Sequence, residues 1–212
     1  MTDNKNLPKI IENSGLALHK TRNLLSITDK ILASKTLAVI DDAWLDELIA
    51  WADENELSED KFSRNKQAIL KMSELCLSWS FLTKIPVSFG NMTNLRCLDL
   101  NCNTLTEIPD SIVNLMNLDL GYNDLTEIPK SIGKMNNLKK LYLYNNLLSE
   151  IPEFIGNLTN LTQLDLRYNQ LTELPESISK LTNLEYLDLS GNPLKSLPPE
   201  LSHLNSITHF SK

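Results

Sequence analysis

From about residue 70 onward, apolar and polar positions alternate in a frame that returns at nearly constant spacing. The frame reads L-x-x-L-x-L-x-x-N-x-L, and an Ile-Pro or Leu-Pro pair follows it each time. The prolines of these pairs are Pro86, Pro109, Pro129, Pro152, Pro175 and Pro198, with steps of 23, 20, 23, 23 and 23 residues. The first copy is degenerate, with Ser80 in place of the asparagine. Self-similarity at such a period predicts stacked structural repeats.

Each copy of the frame predicts one short strand followed by a turn. Within L-x-L the pattern has period two, so the leucines point inward and the residues between them point outward. The proline cannot continue a ladder of strand hydrogen bonds, so it marks a turn toward the opposite side. One unit alone leaves its apolar face open, and stacking on its neighbours closes that face.

The complete frame resembles the leucine-rich-repeat family, in particular its 23-residue intracellular type with the pattern L-T-x-[IL]-P-x-x-I-x-x-L-x-x-L. The resemblance covers about residues 70–212 and implies an α/β fold, a solenoid with a curved parallel β-sheet on its concave face. It also implies that the frame asparagines satisfy backbone groups where the chain leaves each strand, stacking into a ladder. These asparagines are Asn103, Asn123, Asn146, Asn169 and Asn192.

One unit is three residues shorter than the others, between Pro109 and Pro129. The missing residues fall somewhere in the stretch 112–118, while Asn123 and Leu125 remain in frame. We therefore expect the strand that contains Asp119 to stay in register and the shortening to fall on the convex side.

The first 67 residues carry no repeat, and we assign residues 1–67 to a helical N-terminal cap and 68–212 to about six repeats plus a partial unit. Leucines seven apart predict a helix over about 16–34, and a second helix is expected to begin at Asp41 or Asp42. Trp44 and Trp51, seven apart, are expected to pack on the first repeat. Residues 41–60 hold nine carboxylates and no Lys or Arg, which indicates a solvated face or, alternatively, a docking strip for a basic partner.

The last unit is incomplete, and residues 199–212 predict a short helix followed by a strand remnant. Solenoid ends need a covering for solubility. These residues either fold over the last repeat, which leaves a monomer, or pack against a second molecule in an end-to-end dimer. We favour the monomer.

The charge and the cysteines exclude several classes of function. A net charge of −7 and a pI near 5.0 argue against nucleic acid and anionic membrane surfaces as partners. The three cysteines cannot all pair within one chain, and no secretory signal or long apolar run is visible, so reduced thiols and a cytoplasmic location are expected. Export by a specialised secretion system would leave no such trace.

The candidate binding residues are those that the frame turns outward, since the resemblance makes the concave face the binding surface. All five tyrosines of the chain and one arginine fall in these rows, and Tyr and Arg are enriched in interface hot spots. The alternative is that aromatic residues simply suit strands. The candidates are Tyr122, Tyr142, Tyr144, Arg167, Tyr168 and Tyr186, together with the aspartates Asp119, Asp165 and Asp188.

Nothing in the sequence indicates catalysis, a cofactor or a metal site. The three histidines lack metal-ligand spacing, and there is no glycine-rich phosphate loop. Cys97 and Cys102 lie close together, and although Arg96 precedes Cys97, we expect both to be ordinary thiols.

The sequence therefore predicts a cytoplasmic, non-enzymatic module that binds a protein on its concave face, and its repeats resemble those of bacterial leucine-rich-repeat proteins. The alternative is a secreted bacterial effector whose repeats select a host target, with a ubiquitin-ligase domain if the protein continues past Lys212. A third interpretation, a surface adhesion protein, is disfavoured by the missing signal and the odd number of cysteines.

Overall fold

The computed structural model describes residues 42–196 and residue 201. The chain divides into two compact units, residues 1–44 and residues 45–212, and the repeats lie in the second of these. The predicted helix over 16–34 and the predicted terminal covering over 199–212 lie outside the described residues, apart from Leu201, which is buried.

Within the described residues, six short parallel strands form one open sheet whose order follows the chain, β1-β2-β3-β4-β5-β6. The strands are β1 Glu74–Cys76, β2 Cys97–Asp99, β3 Asn117–Asp119, β4 Lys140–Tyr142, β5 Gln163–Asp165 and β6 Tyr186–Asp188. Their central leucines pair in one register, and all six are buried: Leu75, Leu98, Leu118, Leu141, Leu164 and Leu187. The predicted repeat fold with inward leucines is confirmed.

The side opposite the strands is built from short 3-10 helices: Val87–Asn91, Ile132–Lys134, Glu153–Asn157 and Glu176–Lys180. In three of them a proline directly precedes the helix, where its missing N–H costs no hydrogen bond. Buried side chains of these helices form a second layer of the core, which lies between the helices and the strands.

The shortened unit loses its residues from this helical side. β3 pairs in register with both neighbours, Asn117 with Cys97 and Asp119 with Tyr142 among them. Where the other coils carry a 3-10 helix, residues 110–111 form only a turn. The predicted location of the shortening is confirmed, because the sheet cannot lose residues without losing ladder hydrogen bonds on both sides.

The N-terminal end of the repeats is covered by a helix, α1, over residues 42–54, and a second helix, α2, Lys66–Lys71. Trp51 lies edge-on to Phe62 and Phe89, with ring centroids 5.9 and 5.2 Å apart, and its indole N–H donates to the Lys84 carbonyl at 3.3 Å. Phe89 belongs to the first coil, so the predicted packing of Trp51 on the first repeat is confirmed, whereas that of Trp44 stays a prediction.

Among the described carboxylates of the stretch 41–60, two form ion pairs within this cap. Lys66 Nζ lies 2.7 Å from Asp46, and Arg64 Nε lies 2.8 Å from Asp53. Both aspartates are largely exposed, so these pairs contribute little to stability. The arrangement fits the interpretation of this stretch as a solvated face.

A ladder of asparagine side chains runs along the edge where the chain leaves the strands. Asn169 is buried, and its amide donates to the carbonyls of Leu143, Leu166 and Arg167 at 2.9, 3.0 and 3.3 Å. Its Oδ1 accepts from the Leu148 N–H at 3.1 Å. Each amide thus joins its own coil to the preceding one, and the same contacts recur at Asn103, Asn123, Asn146 and Asn192.

The first coil has no ladder asparagine, and a lysine of the cap supplies the missing donors. Ser80 is too short to reach the neighbouring carbonyls as an asparagine would. Lys61 Nζ instead donates to the Ser78 carbonyl at 2.7 Å, the Trp79 carbonyl at 3.3 Å and Ser80 Oγ at 2.9 Å. The cap therefore completes the polar ladder as well as the apolar core.

Candidate functional site

The outward side of the six strands, called here the strand face, is built from three rows of side chains that the register aligns. The first row is Glu74, Cys97, Asn117, Lys140, Gln163 and Tyr186, and the second is Cys76, Asp99, Asp119, Tyr142, Asp165 and Asp188. Two residues further along each coil lies the third row, Ser78, Asn101, Gly121, Tyr144, Arg167 and Ser190. The second and third rows meet around Tyr144 and Arg167.

Tyr144 connects three adjacent coils. Its ring lies against Gly121 of the preceding coil, where a Cβ atom would overlap the ring, and its hydroxyl accepts from the Asn101 side-chain amide one coil further back. The Tyr122 ring lies edge-on at 5.5 Å, and the Arg167 guanidinium lies 5.4 Å from the ring centre. Gly121 is thus the residue that lets Tyr144 lie down along the face.

Arg167 is held by the carboxylates of its own and the next coil. Nε lies 2.9 and 3.0 Å from the two Asp165 oxygens, Nη2 lies 2.7 Å from Asp165 Oδ2, and Nε lies 3.6 Å from Asp188 Oδ2. Hydrogen bonding to Asp165 raises the pKa of Arg167. The positive charge of Arg167 is therefore largely compensated within the chain, which the sequence pattern did not reveal.

Two further tyrosines form hydrogen bonds within the face. Tyr142 donates to Gln163 Oε1 at 2.5 Å, and Tyr186 donates to Asp188 Oδ2 at 3.2 Å. Burial, followed by nearby carboxylates, raises the pKa of both phenols. The same causes raise the pKa of Tyr144 to about 12. All three rings therefore remain neutral and able to donate at physiological pH.

The aspartates of the second row have a structural role that the sequence did not indicate. Each accepts the backbone N–H two residues ahead: Asp99 from Asn101 at 2.9 Å, Asp119 from Gly121 at 2.9 Å, Asp165 from Arg167 at 3.1 Å and Asp188 from Ser190 at 3.0 Å. Such side-chain bonds stabilise a turn locally. A preference for aspartate in this row therefore does not by itself indicate binding.

The four aspartates differ in how their charge is balanced. Asp165 and Asp188 lie next to Arg167, whereas Asp99 and Asp119 form no ion pair among the described residues. Burial, and after it the charges of Asp99 and Asp165, raise the pKa of Asp119 against hydrogen bonds from Gly121 and Asn101. The negative charge of the face is thus partly balanced by Arg167 toward the last coils and has no such partner among the described residues at Asp99 and Asp119.

The raised pKa of Asp119 leads to a pH-dependent prediction. The folded protein holds the Asp119 proton more tightly than the unfolded chain, so charging this group disfavours folding above its pKa. Asp119→Asn keeps the oxygen that accepts from Gly121 and is expected to be more stable than the wild type at pH 7. That advantage should shrink as the pH falls through the raised pKa of Asp119, and it should be gone below about 4, the ordinary pKa of an aspartate.

Urea unfolding at several pH values measures this difference, with Asp124→Asn, an exposed aspartate outside the row, as the control. An advantage of Asp119→Asn that stayed constant from neutral to acid pH would contradict the prediction.

A fourth row lies at the edge, directly before the ladder position of each coil: Trp79, Cys102, Tyr122, Asn145, Tyr168 and Gly191. All six residues have a positive φ, between 49° and 73°. They therefore lie outside the strands, in the left-handed region of backbone conformation. Gly adopts this region without strain, and Asn or Asp adopt it more readily than other residues. Strand preference, the alternative explanation for the tyrosines, does not apply to Tyr122 and Tyr168.

Sequence reasoning missed two exposed aromatic residues beside the face, Trp79 and Phe81. Both have a φ of 55° and both are exposed. The signal for Trp79 was its position directly before the ladder residue, which it shares with Tyr122 and Tyr168. Phe81 lies outside the frame positions that point outward, so the repeat pattern did not mark it.

Within the described residues, no group of His, Cys, Asp and Glu could hold a metal ion, and no helix is long and apolar enough to span a membrane. Cys76, Cys97 and Cys102 are free thiols. Burial and the carboxylates of Asp119 and Asp99 raise the pKa of Cys102, which disfavours the reactive thiolate.

Comparisons with solved structures agree with this architecture. The chain is similar to a leucine-rich-repeat protein of Leptospira interrogans, with 32% identity over 68% of this chain and 43% of that chain and a TM-score of 0.54. It is also similar to an internalin of Listeria monocytogenes, with 26% identity over 65% and 39% of the two chains and a TM-score of 0.50.

A third similar structure is the leucine-rich-repeat ectodomain of the membrane receptor kinase GASSHO1/SCHENGEN3 of Arabidopsis thaliana, solved in complex with Casparian strip integrity factor 2. Identity is 29% over 66% of this chain and 21% of that chain, with a TM-score of 0.50. The chain thus spans less than half the length of each of these three proteins.

No curated protein sequence matches the chain. Two family models match it: one described as a leucine-rich repeat region over residues 56–165, and one described as leucine-rich repeats in two copies over residues 159–208. The first alone covers more than half of the 212 residues. The chain therefore belongs to the leucine-rich-repeat family.

Proposed function

We propose that this protein is a cytoplasmic, non-enzymatic module that binds a protein partner on the strand face. Leucine-rich-repeat domains are in general protein-interaction modules and typically non-enzymatic scaffolds. The observation that carries the proposal is the cluster of Tyr122, Tyr144 and Arg167, in which three large side chains from adjacent coils are held in place on an open face. Side chains ordered before binding lose little entropy when a partner arrives.

The cluster has the composition of an interface hot spot, since Tyr and Arg combine large contact area with directed hydrogen bonds. Because Arg167 is already paired with Asp165, it contributes shape and a preformed surface more than a free charge. We place the centre of the binding surface at Tyr144, and we propose a monomer as the binding species. The secreted-effector interpretation stays a prediction.

Tyr144→Ala is expected to weaken partner binding by about 2 kcal/mol, roughly thirtyfold, because it removes the centre of the cluster. Affinity capture from the native cell with wild-type protein identifies the partner, and titration of the purified pair measures the loss. Val87→Ser, on the exposed helical side of the first coil, is the control and should bind as the wild type does.

The contacts of Tyr144 within the fold affect how this binding experiment must be carried out. Tyr144 contacts two preceding coils, so Tyr144→Ala will also lower stability, and binding should be measured well below its unfolding temperature. Tyr144→Phe keeps the ring and removes only the bond from Asn101, and it should retain most of the affinity. A partner that bound Tyr144→Ala and wild type equally well would move the site away from this face.

A further inference from the structure

Three large aromatic side chains at the edge of the strand face recur on every second coil. They are Trp79, Tyr122 and Tyr168, called here the aromatic ridge, and the coils between them carry Cys102 and Asn145 at the same position. The ridge side chains are exposed by 69%, 53% and 58%. The ridge therefore presents large rings separated by smaller side chains.

The fold gives these rings only part of their contacts: Tyr122 lies edge-on to Tyr144, and Tyr168 lies against Gly191. Their backbone is left-handed, with φ of 55°, 49° and 52°, and bulky residues reach this region only at a cost. Asn145 and Gly191 show that the coil accepts the residues that suit this conformation. These contacts offset only part of the strain, because more than half of each residue is in solvent. Contact of the exposed rings with another molecule would offset the remaining strain.

The spacing of the ridge limits what can lie along it. Neighbouring strands are about 4.8 Å apart, so equivalent positions on alternate coils are about 10 Å apart. A polyproline II helix repeats every three residues with a rise of about 3.1 Å, which returns one face about every 9 Å. An extended strand returns one face about every 7 Å, which does not match.

The polar ends of the ridge side chains favour the same ligand. Within the described residues, the indole N–H of Trp79 and the hydroxyls of Tyr122 and Tyr168 have no hydrogen-bond partner in the chain. A polyproline II segment has no internal hydrogen bonds, so its carbonyls are free to accept. An α-helix has used its carbonyls internally.

The charge beside the ridge indicates what else the ligand carries. Asp99 and Asp119, which lack an ion pair among the described residues, line a hollow of about 360 Å³ together with Tyr142. Toward the last coils Arg167 partly compensates the carboxylates of Asp165 and Asp188. A basic side chain would therefore be stabilised at the first coils, near the Trp79 end of the ridge.

We propose that the aromatic ridge binds a proline-rich partner segment in the polyproline II conformation, with an Arg or Lys of that segment at Asp99 and Asp119. The inference rests on the proposed protein-binding function and names the chemistry of the partner. Aromatic side chains that stack on proline and carboxylates that receive a base are complementary parts of such recognition.

The test is a fluorescence-anisotropy titration of the full chain with a labelled peptide of Leu-Pro-Pro triplets followed by two arginines. We expect saturable binding that Tyr168→Asn and Trp79→Asn each weaken about tenfold, as loss of an aromatic anchor does. Asp119→Asn should weaken binding and reduce its dependence on salt. Val87→Ser, an exposed apolar residue on the helical side, should bind as the wild type does.

Asparagine is chosen because Asn145 already occupies the equivalent left-handed position. Tyr168→Asn should therefore unfold about 2–4 °C above Tyr168→Ala, since both lose the same ring contacts and only alanine retains the strain. A loss of peptide binding in a folded Tyr168→Asn variant then reports on the ridge itself.

Failure of the wild type to bind this peptide would overturn the inference. Equal binding of a peptide with Gly-Ser in place of Pro-Pro, or of one with glutamates in place of the arginines, would overturn it too. If a captured partner depends on Tyr144 but not on Tyr168 or Trp79, the proposed function stands and the ridge inference fails. If the peptide binds through the ridge and no partner depends on Tyr144, the ridge inference stands and the placement of the binding centre at Tyr144 fails.

Discussion

Replacing Asn169 by alanine is expected to lower the free energy of unfolding by about 4 kcal/mol. The buried amide serves three carbonyls and one N–H, and alanine can replace none of these partners. Each buried backbone group left without a partner costs about 1–3 kcal/mol, and relaxation of the coil recovers part of the sum. Outside the ladder, few of the described side chains join two coils through as many bonds.

Chemical unfolding followed by circular dichroism measures this loss. Asn160→Ala is the matched control, because Asn160 is exposed and its amide donates only to the Asn136 carbonyl, at 2.7 Å. It should lose less than about 1 kcal/mol. Hydrogen exchange should also accelerate at the Leu148 amide, which loses its acceptor. A loss at Asn169 no larger than at Asn160 would show that water replaces the ladder without cost.

The second large effect is expected at Arg167, where leucine in place of the arginine should cost about 3 kcal/mol of stability. The Asp165 and Asp188 side chains are only 4% and 11% exposed, so removal of the guanidinium leaves two buried carboxylates without their counter-ion. Breaking a buried pair from one side costs about 3–5 kcal/mol, and the partial exposure of Arg167 moves the expectation to the lower end.

A second substitution distinguishes lost charge from lost packing. Asp165→Asn in the Arg167→Leu background removes one of the two unpaired negative charges. It keeps the side-chain oxygen that accepts from the backbone N–H of residue 167, so it should restore part of the stability. Lys66→Leu is the control, since the Asp46 side chain that it leaves is 67% exposed, and it should change stability by less than about 0.5 kcal/mol. If Asp165→Asn gave no recovery, packing of the Arg167 stem would be the cause.

These effects change how substitutions on the strand face should be interpreted. An outward residue of a strand usually has no structural role, so alanine at Tyr144 or Arg167 would be expected to leave the fold intact. In the structure both residues hold neighbouring coils together. Binding measurements on this face therefore need a stability measurement beside them.

Much of the architecture could be predicted because the same pattern of apolar and polar positions recurs in every coil. In each coil the period-two alternation separates inward leucines from outward residues, and agreement between coils makes a wrong register improbable. The same reasoning located the shortened unit on the helical side, since Asn123 and Leu125 remained in frame. The outward position of Tyr142, Tyr144 and Arg167 followed from the same pattern.

The contacts and ion pairs of each outward side chain could not be predicted in this way. The alternation says that Tyr144 faces outward, but the space above Gly121 and the amide of Asn101 come from other coils, 23 and 43 residues away in the chain. Likewise, nothing near Ser80 in the sequence indicates that Lys61 would supply the missing ladder donors.

The sequence by itself thus determined the repeat, the inward leucines and the surface on which the candidate residues lie, because these depend on local alternation repeated in every coil. Only the tertiary structure decided which carboxylates are compensated, which tyrosines are tied down and which aromatic residues stand exposed in a left-handed backbone. Those properties depend on contacts between side chains of different coils. The pattern within one coil does not indicate how close side chains of two coils lie.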